Sequence, residues 1–117
     1  MDHCMMLHDR PFEMIKRGIK TVEMRLHDKK RQAVNVGVQI MFTNVRTGEK
    51  MTVRVIAKNI FDNFEALYDF YEKSVIGYLP DEVADPDDMA QYYCQDDIKE
   101  FGVCAMEIRV EGGRDEA

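Results

Sequence analysis

The stretch Gly18-Ile19-Lys20-Thr21-Val22-Glu23-Met24-Arg25 decides how this chain is read. Val22, Met24 and Leu26 are apolar and alternate with Thr21, Glu23 and Arg25, and a period of two belongs to a strand with one apolar and one polar face. Immediately upstream, Pro11 opens a predicted helix over 11–16, because proline is well tolerated in a first helical turn. Phe12, Ile15 and Met14 give that helix its apolar side, and Gly18 stands where a left-handed cap would end it. The order is therefore helix, tight turn, strand, with three ionisable groups between positions 20 and 25.

Those groups carry the chemistry. Glu23 and Arg25 share one strand face, about 6.5–7 Å apart at the backbone, and Lys20 sits at the strand entrance. A lysine beside a glutamate can hold an anion, position a water or serve as a general base. Arg25 can clamp a carboxylate or phosphate, or hydrogen-bond the edge of a base. A plain surface network of Lys20, Glu23 and Arg25 fits the same spacing, and spacing alone leaves both readings open.

Working outward, residues 27–35 are polar and basic and read as a loop, with a turn at Val36-Gly37-Val38. A strand over about 39–45, a turn at Arg46-Thr47-Gly48-Glu49 and a long strand over 50–61 make a hairpin, with Met51, Val53, Val55 and Ala57 on one side. A helix over 64–71 follows, capped by Asp62 or Asn63, its stripe formed by Phe64, Leu67, Tyr68 and Tyr71. Residues 74–80 are a loop, and a second helix starts near Pro86, its positive end favoured by Asp85, Asp87 and Asp88. A last strand is predicted over 102–110, with 111–117 as a frayed tail. Strands interleaved with short helices imply a closed mixed β structure plugged by helices.

The bulk numbers fit one domain. The chain has 117 residues, 45% hydrophobic and 32% charged, too apolar for a disordered segment. No apolar run spans a membrane, and the first 14 residues lack a signal peptide's pattern, so a cytoplasmic location is expected. Cys4, Cys94 and Cys104 are widely spaced and read as free thiols. Net charge is −6, yet residues 16–31 hold seven basic against two acidic side chains, a local +5 that leaves −11 for the rest. One basic strip on an acidic protein suits a small anionic ligand or a short stretch of RNA better than long non-specific duplex. His3, Cys4 and His8 match no zinc spacing, so a flexible N-terminus and no metal are expected there. The acidic run 85–88 is explained by its helix start without a cation. Tyr92 and Tyr93 are candidates to stack a base. No phosphate-binding glycine loop, Ser-His-Asp order or dinucleotide fingerprint is present, and no cofactor is expected.

The pattern Gly18-x-Lys20-x-x-Glu23-x-Arg25 after Phe12-Glu13-Met14-Ile15-Lys16 resembles the signature of ASCH domains, small relatives of PUA domains. Arg31 before Val36-Gly37 resembles that family, as do Phe61, Phe64, Leu67 and Tyr68. So do Gly77-Tyr78, Met89 with Tyr92-Tyr93, and Gly102-Val103. The likeness runs from about Met5 to Val110. It implies an α+β fold, a small PUA-like mixed β-barrel with short flanking helices, forming a single domain over 1–117. It also implies a cleft at the signature that binds RNA or a nucleotide or nucleoside, with Gly18, Lys20, Thr21, Glu23, Arg25 and Tyr92 as ligand-binding candidates.

Some bacterial members of that family remove the acetyl group from acetylcytidine nucleosides, with a lysine as base, a threonine as nucleophile and a later acid assisting. Carried over, the lysine falls on Lys20 and the acid near Asp88, with Asp87 as the neighbouring choice. The threonine position falls on Glu23, which would have to activate water instead, while Thr21 offers a hydroxyl one pair earlier. The turn after Gly37 also departs from the family, with Val38 where an acid is common. A binding module is the favoured expectation. The alternative is an amidohydrolase of acylated nucleosides using Lys20, Glu23 and Asp88.

Overall fold

The computed structural model describes residues 3–111. Five strands form one sheet in the order β1-β3-β4-β5-β2: β1 (His3–Leu7), β2 (Val22–Leu26), β3 (Gln39–Asn44), β4 (Lys50–Phe61) and β5 (Val103–Glu111). β1 runs parallel to β3, and the other neighbours are antiparallel. The helices are α1 (Asp9–Lys16), α2 (Lys29–Gln32), α3 (Phe64–Phe70) and α4 (Gln95–Phe101), with a 3-10 helix over Pro86–Gln91. No helix among the described residues is long and apolar enough to cross a membrane.

The sheet is a half-barrel. It curls until its edge strands β1 and β2 face each other, and there side chains replace backbone pairing. Arg25 Nη2 donates to the Met6 carbonyl at 2.7 Å, and Lys30 Nζ donates to the Cys4 carbonyl at 2.8 Å. The open edge of β1 is thus covered by the basic segment that the sequence singled out.

Two apolar clusters flank the sheet. Inside the curl lie Phe12, Ile15, Ile40, Phe42, Val53 and Val55 with Cys104, Met106 and Ile108 of β5. Outside it, Val22, Met24, Leu26, Val103 and Ala105 pack under Phe64 and Leu67 of α3, Met89 of the 3-10 helix and Ile98 of α4. Because β2 is covered on both sides, its polar face turns inward rather than to solvent.

Local chemistry sets the path into β2. The Gly18 N–H bonds to the Ile15 carbonyl and the Ile19 N–H to the Met14 carbonyl, with Gly18 at φ +77°, the two-bond cap that terminates a helix in a left-handed residue. That cap turns the chain so that Lys20 enters beneath the loop before Gly77. The Asn44 side chain, fully buried, accepts from Arg46 N–H and donates to Asp9, fixing the β3–β4 turn against α1.

The structure corrects several expectations. Residues 3–7 are a strand, not a flexible N-terminus, because Met5 and Leu7 are buried in the inner cluster. The loop predicted over 27–35 contains α2, capped by Asp28. The helix near Pro86 is a 3-10 turn ending at Gln91, and α4 was not expected. The long strand carries a bulge between Val55 and Ala57, which takes Ala57 off the face shared by Met51, Val53 and Val55. Glu111, placed by the sequence in a frayed tail, ends β5, where it holds Arg54 at 2.5 Å; residues 112–117 of that tail lie outside the described residues.

Candidate functional site

A cavity of about 410 Å³ opens beside the β1–β2 seam. It lies between the start of α1, the end of β1, the inner face of β2 and the segment from Ile76 to Tyr93. Ligand pockets commonly occupy about 300–1,000 Å³.

Its floor is the predicted cluster. Lys20 and Glu23 are only 7% and 4% exposed, so they are not a surface network. Glu23 Oε1 lies 3.3 Å from Lys20 Nζ, and Glu23 Oε2 accepts from Arg25 Nε at 2.6 Å. Lys20 Nζ also donates to the Ile76 carbonyl at 3.3 Å. Burial by itself would push the Glu23 carboxyl up, but the charges of Lys20 and Arg25 and their hydrogen bonds outweigh it and hold Glu23 below the usual carboxylate range. Burial opposes the charge on Arg25, and Glu23 more than restores it.

The carboxylate neutralises one of the two cations, so the floor keeps a net positive charge. It also keeps spare donors. Lys20 has three N–H groups and two acceptors among the described residues. The hydrogen bonds of Arg25 to Glu23 and Met6 use Nε and Nη2, not Nη1.

The walls are aromatic and the rim is charged. Tyr68, Tyr78, Tyr92 and Tyr93 line the cavity, and Tyr92, 53% exposed, stands 6.2 Å from the His8 ring between centroids. Tyr78 donates to Asp88 at 2.7 Å. Arg10 of α1 forms an ion pair with Glu82 and donates to the Gly77 carbonyl at 3.2 Å, strapping the loop across the mouth. The Arg10 hydrogen bond and the Leu79 N–H hold Glu82 down at about 2.

Of the residues the sequence nominated, Lys20, Glu23, Arg25, Asp88 and Tyr92 line this one cavity. Gly18 and Thr21 do not: Gly18 is the helix cap, and Thr21 is exposed, its N–H bonded to the Val75 carbonyl. Asp87, the neighbouring choice for the acid, is exposed and does not line it. Asp88 bonds Tyr78, and none of its hydrogen bonds reaches Lys20 or Glu23. The sequence reading missed Arg10, Tyr78 and Glu82 as site residues, and it took Tyr68 for a core residue of its helix. Among the described residues no three His, Cys, Asp or Glu side chains converge on a metal position.

The model of the ASCH domain matches residues 5–110. The chain belongs to the ASCH domain family. Solved structures agree with the fold. The hypothetical protein PH0355 superposes with a TM-score of 0.81 at 28% identity, covering 95% of this chain and 100% of that one. Protein PF0455 from Pyrococcus furiosus gives 0.72 at 29% identity, over 94% and 97% of the two chains. The ASCH domain from Lactobacillus crispatus gives 0.65 at 13% identity, over 93% and 79%, which is a likeness of fold. Among curated proteins none matches the chain. In this ASCH domain the family signature is the strand that floors the cavity.

Proposed function

We propose that this ASCH domain is a binding module for a nucleobase, either of a free nucleoside or nucleotide or of single-stranded RNA. The observation that carries the reading is the buried Lys20–Glu23–Arg25 floor beneath a tyrosine-walled cavity. Spare N–H donors at the floor suit carbonyl or phosphate acceptors, and Tyr92 offers a stacking face at the mouth. The cavity has room for one base with part of its sugar, not for a duplex groove.

The geometry favours binding over amide hydrolysis. Glu23 would have to activate water, yet both its oxygens are engaged and its carboxyl is held below the usual range, which makes it a weak base. Thr21 does not line the cavity to supply a hydroxyl instead.

The test is titration of the protein with nucleosides and short single-stranded RNA, alongside incubation with acetylcytidine. Binding that weakens with salt and loses about 1–3 kcal/mol in Tyr92→Ala supports the module. Acetylcytidine turnover abolished in Lys20→Met would replace it with the amidohydrolase. Neither binding nor turnover would sink both.

A further inference from the structure

Three side chains, Tyr68, Tyr78 and Asp88, form a file along the cavity wall from its interior to solvent. The two tyrosine hydroxyl oxygens are 2.9 Å apart, and Tyr78 Oη is 2.7 Å from Asp88 Oδ2 and 3.3 Å from the Asp85 carbonyl. A hydroxyl has one proton to give, whereas an ionised carboxylate and a carbonyl only accept. Both outer neighbours of Tyr78 are therefore acceptors, and the 2.7 Å contact has the length of a charge-assisted O–H···O⁻ bond. Burial, with the bonds to Tyr68 and Asp88, pushes the Tyr78 hydroxyl up, so the group keeps its proton. That proton goes outward, and Tyr68 must be the donor in the tyrosine pair. With its proton spent, the Tyr68 oxygen has only lone pairs left for the cavity it lines.

We propose that this file fixes Tyr68 as an obligatory hydrogen-bond acceptor, so that the site selects ligands carrying an N–H donor at that wall and an acceptor toward the Lys20–Arg25 floor. This rests on the nucleobase reading and adds a rule of selection to it. The matching chemistry is a lactam-type ring edge, a carbonyl beside an N–H. A ring alkylated at that nitrogen lacks the donor and leaves the Tyr68 lone pairs on the cavity side unmet, while its own proton stays on Tyr78, a loss worth about tenfold or more in affinity.

Two probe pairs exchange that N–H for N–CH3: uridine against 3-methyluridine, and guanosine against 1-methylguanosine. Calorimetric titration at pH 7 is expected to show at least one unmethylated member binding about tenfold or more tighter than its methylated partner. In Asp88→Asn, at an exposed position, the amide N–H can donate to Tyr78 and let the file reverse. Tyr68 can then donate inward, and the preference should collapse toward equality. Tyr68→Phe removes the acceptor and should erase it too; if that variant does not fold, Asp88→Asn carries the test. Methylated and unmethylated probes binding alike to the unaltered protein overturns the proposal and leaves the nucleobase site standing. A preference that survives Asp88→Asn overturns it as well. No binding of any of the four overturns this inference, and the nucleobase reading falls with it only when cytidine, adenosine and short single-stranded RNA fail to bind as well.

Discussion

The Lys20 side chain packs directly against Gly77: a Cβ at position 77 would stand 3.2 Å from Lys20 Cδ and 3.7 Å from its Nζ. Gly77 also has φ +110°, a conformation that side-chain-bearing residues rarely adopt. The loop over the mouth thus uses a glycine both for its turn and to let the floor lysine pass beneath it. Gly77→Ala should cost about 1–3 kcal/mol in urea unfolding and also weaken ligand binding, because Lys20 must shift. Gly48→Ala is the control. Its φ is +77° with nothing within 4 Å of the added methyl, so it should lose stability while binding stays unchanged. Equal binding losses in the two variants would contradict the contact.

Glu23 is the keystone of the floor, since it alone offsets two buried cations. Glu23→Gln leaves Lys20 and Arg25 without their counter-charge and should destabilise by about 3–5 kcal/mol at pH 7, measured by denaturant midpoint. The pH dependence has a definite sign. Folding lowers the Glu23 pKa, so its contribution is present above the ordinary carboxylate range and is lost as pH falls through the folded value. The gap between the parent protein and Glu23→Gln should therefore be widest near neutrality and narrow in acid. A gap independent of pH would show that the charge of Glu23 is not what stabilises.

The strand that decides the fold was legible because its alternation is local, and the same holds for the β3–β4 hairpin, with its turn at 46–49. What the alternation could not tell was that the polar face of β2 points inward. A period of two gives the same pattern whether the polar side meets water or the floor of a cavity, and only the curl of the sheet separates the cases. β1 was missed because Cys4 and Met6 are nearly as apolar as the buried Met5 and Leu7, and its partner β3 lies more than thirty residues away. α4 was missed because Ile98 is its one buried residue, which leaves no stripe to read. Arg10 and Glu82 were out of reach for a similar reason: they meet across 72 residues and share no motif.

The strap between Arg10 and Glu82 should control access rather than stability. Glu82 also accepts from the Leu79 N–H at 2.7 Å, so its carboxylate orders the loop it belongs to. Glu82→Gln should speed amide exchange at Leu79 several-fold and raise ligand on- and off-rates together, with little change in Tm. Because Glu82 is held down at about 2, the parent strap should persist through mild acid and release only near that pH. Exchange at Leu79 that already rises between pH 5 and 4 would rule this out.

The three cysteines give an independent readout of the floor. Cys4 and Cys94 are exposed, whereas Cys104 is buried in the inner cluster, directly opposite Arg25 in the β2–β5 register. Burial pushes the Cys104 thiol up to about 11, which leaves little of the reactive thiolate at pH 8. Iodoacetamide on the native protein should therefore add two adducts by intact mass, the third appearing only when the chain opens. Cys104 labelling then reports the opening equilibrium when reclosing outpaces alkylation. Glu23→Gln, which weakens the strand facing Cys104, should accelerate that third adduct by about the factor its stability loss implies, tenfold per 1.4 kcal/mol. If Cys104 reacts as fast as Cys4 in the native protein, or if Glu23→Gln leaves its rate unchanged, then β2 is not locked to β5 through the buried ion cluster.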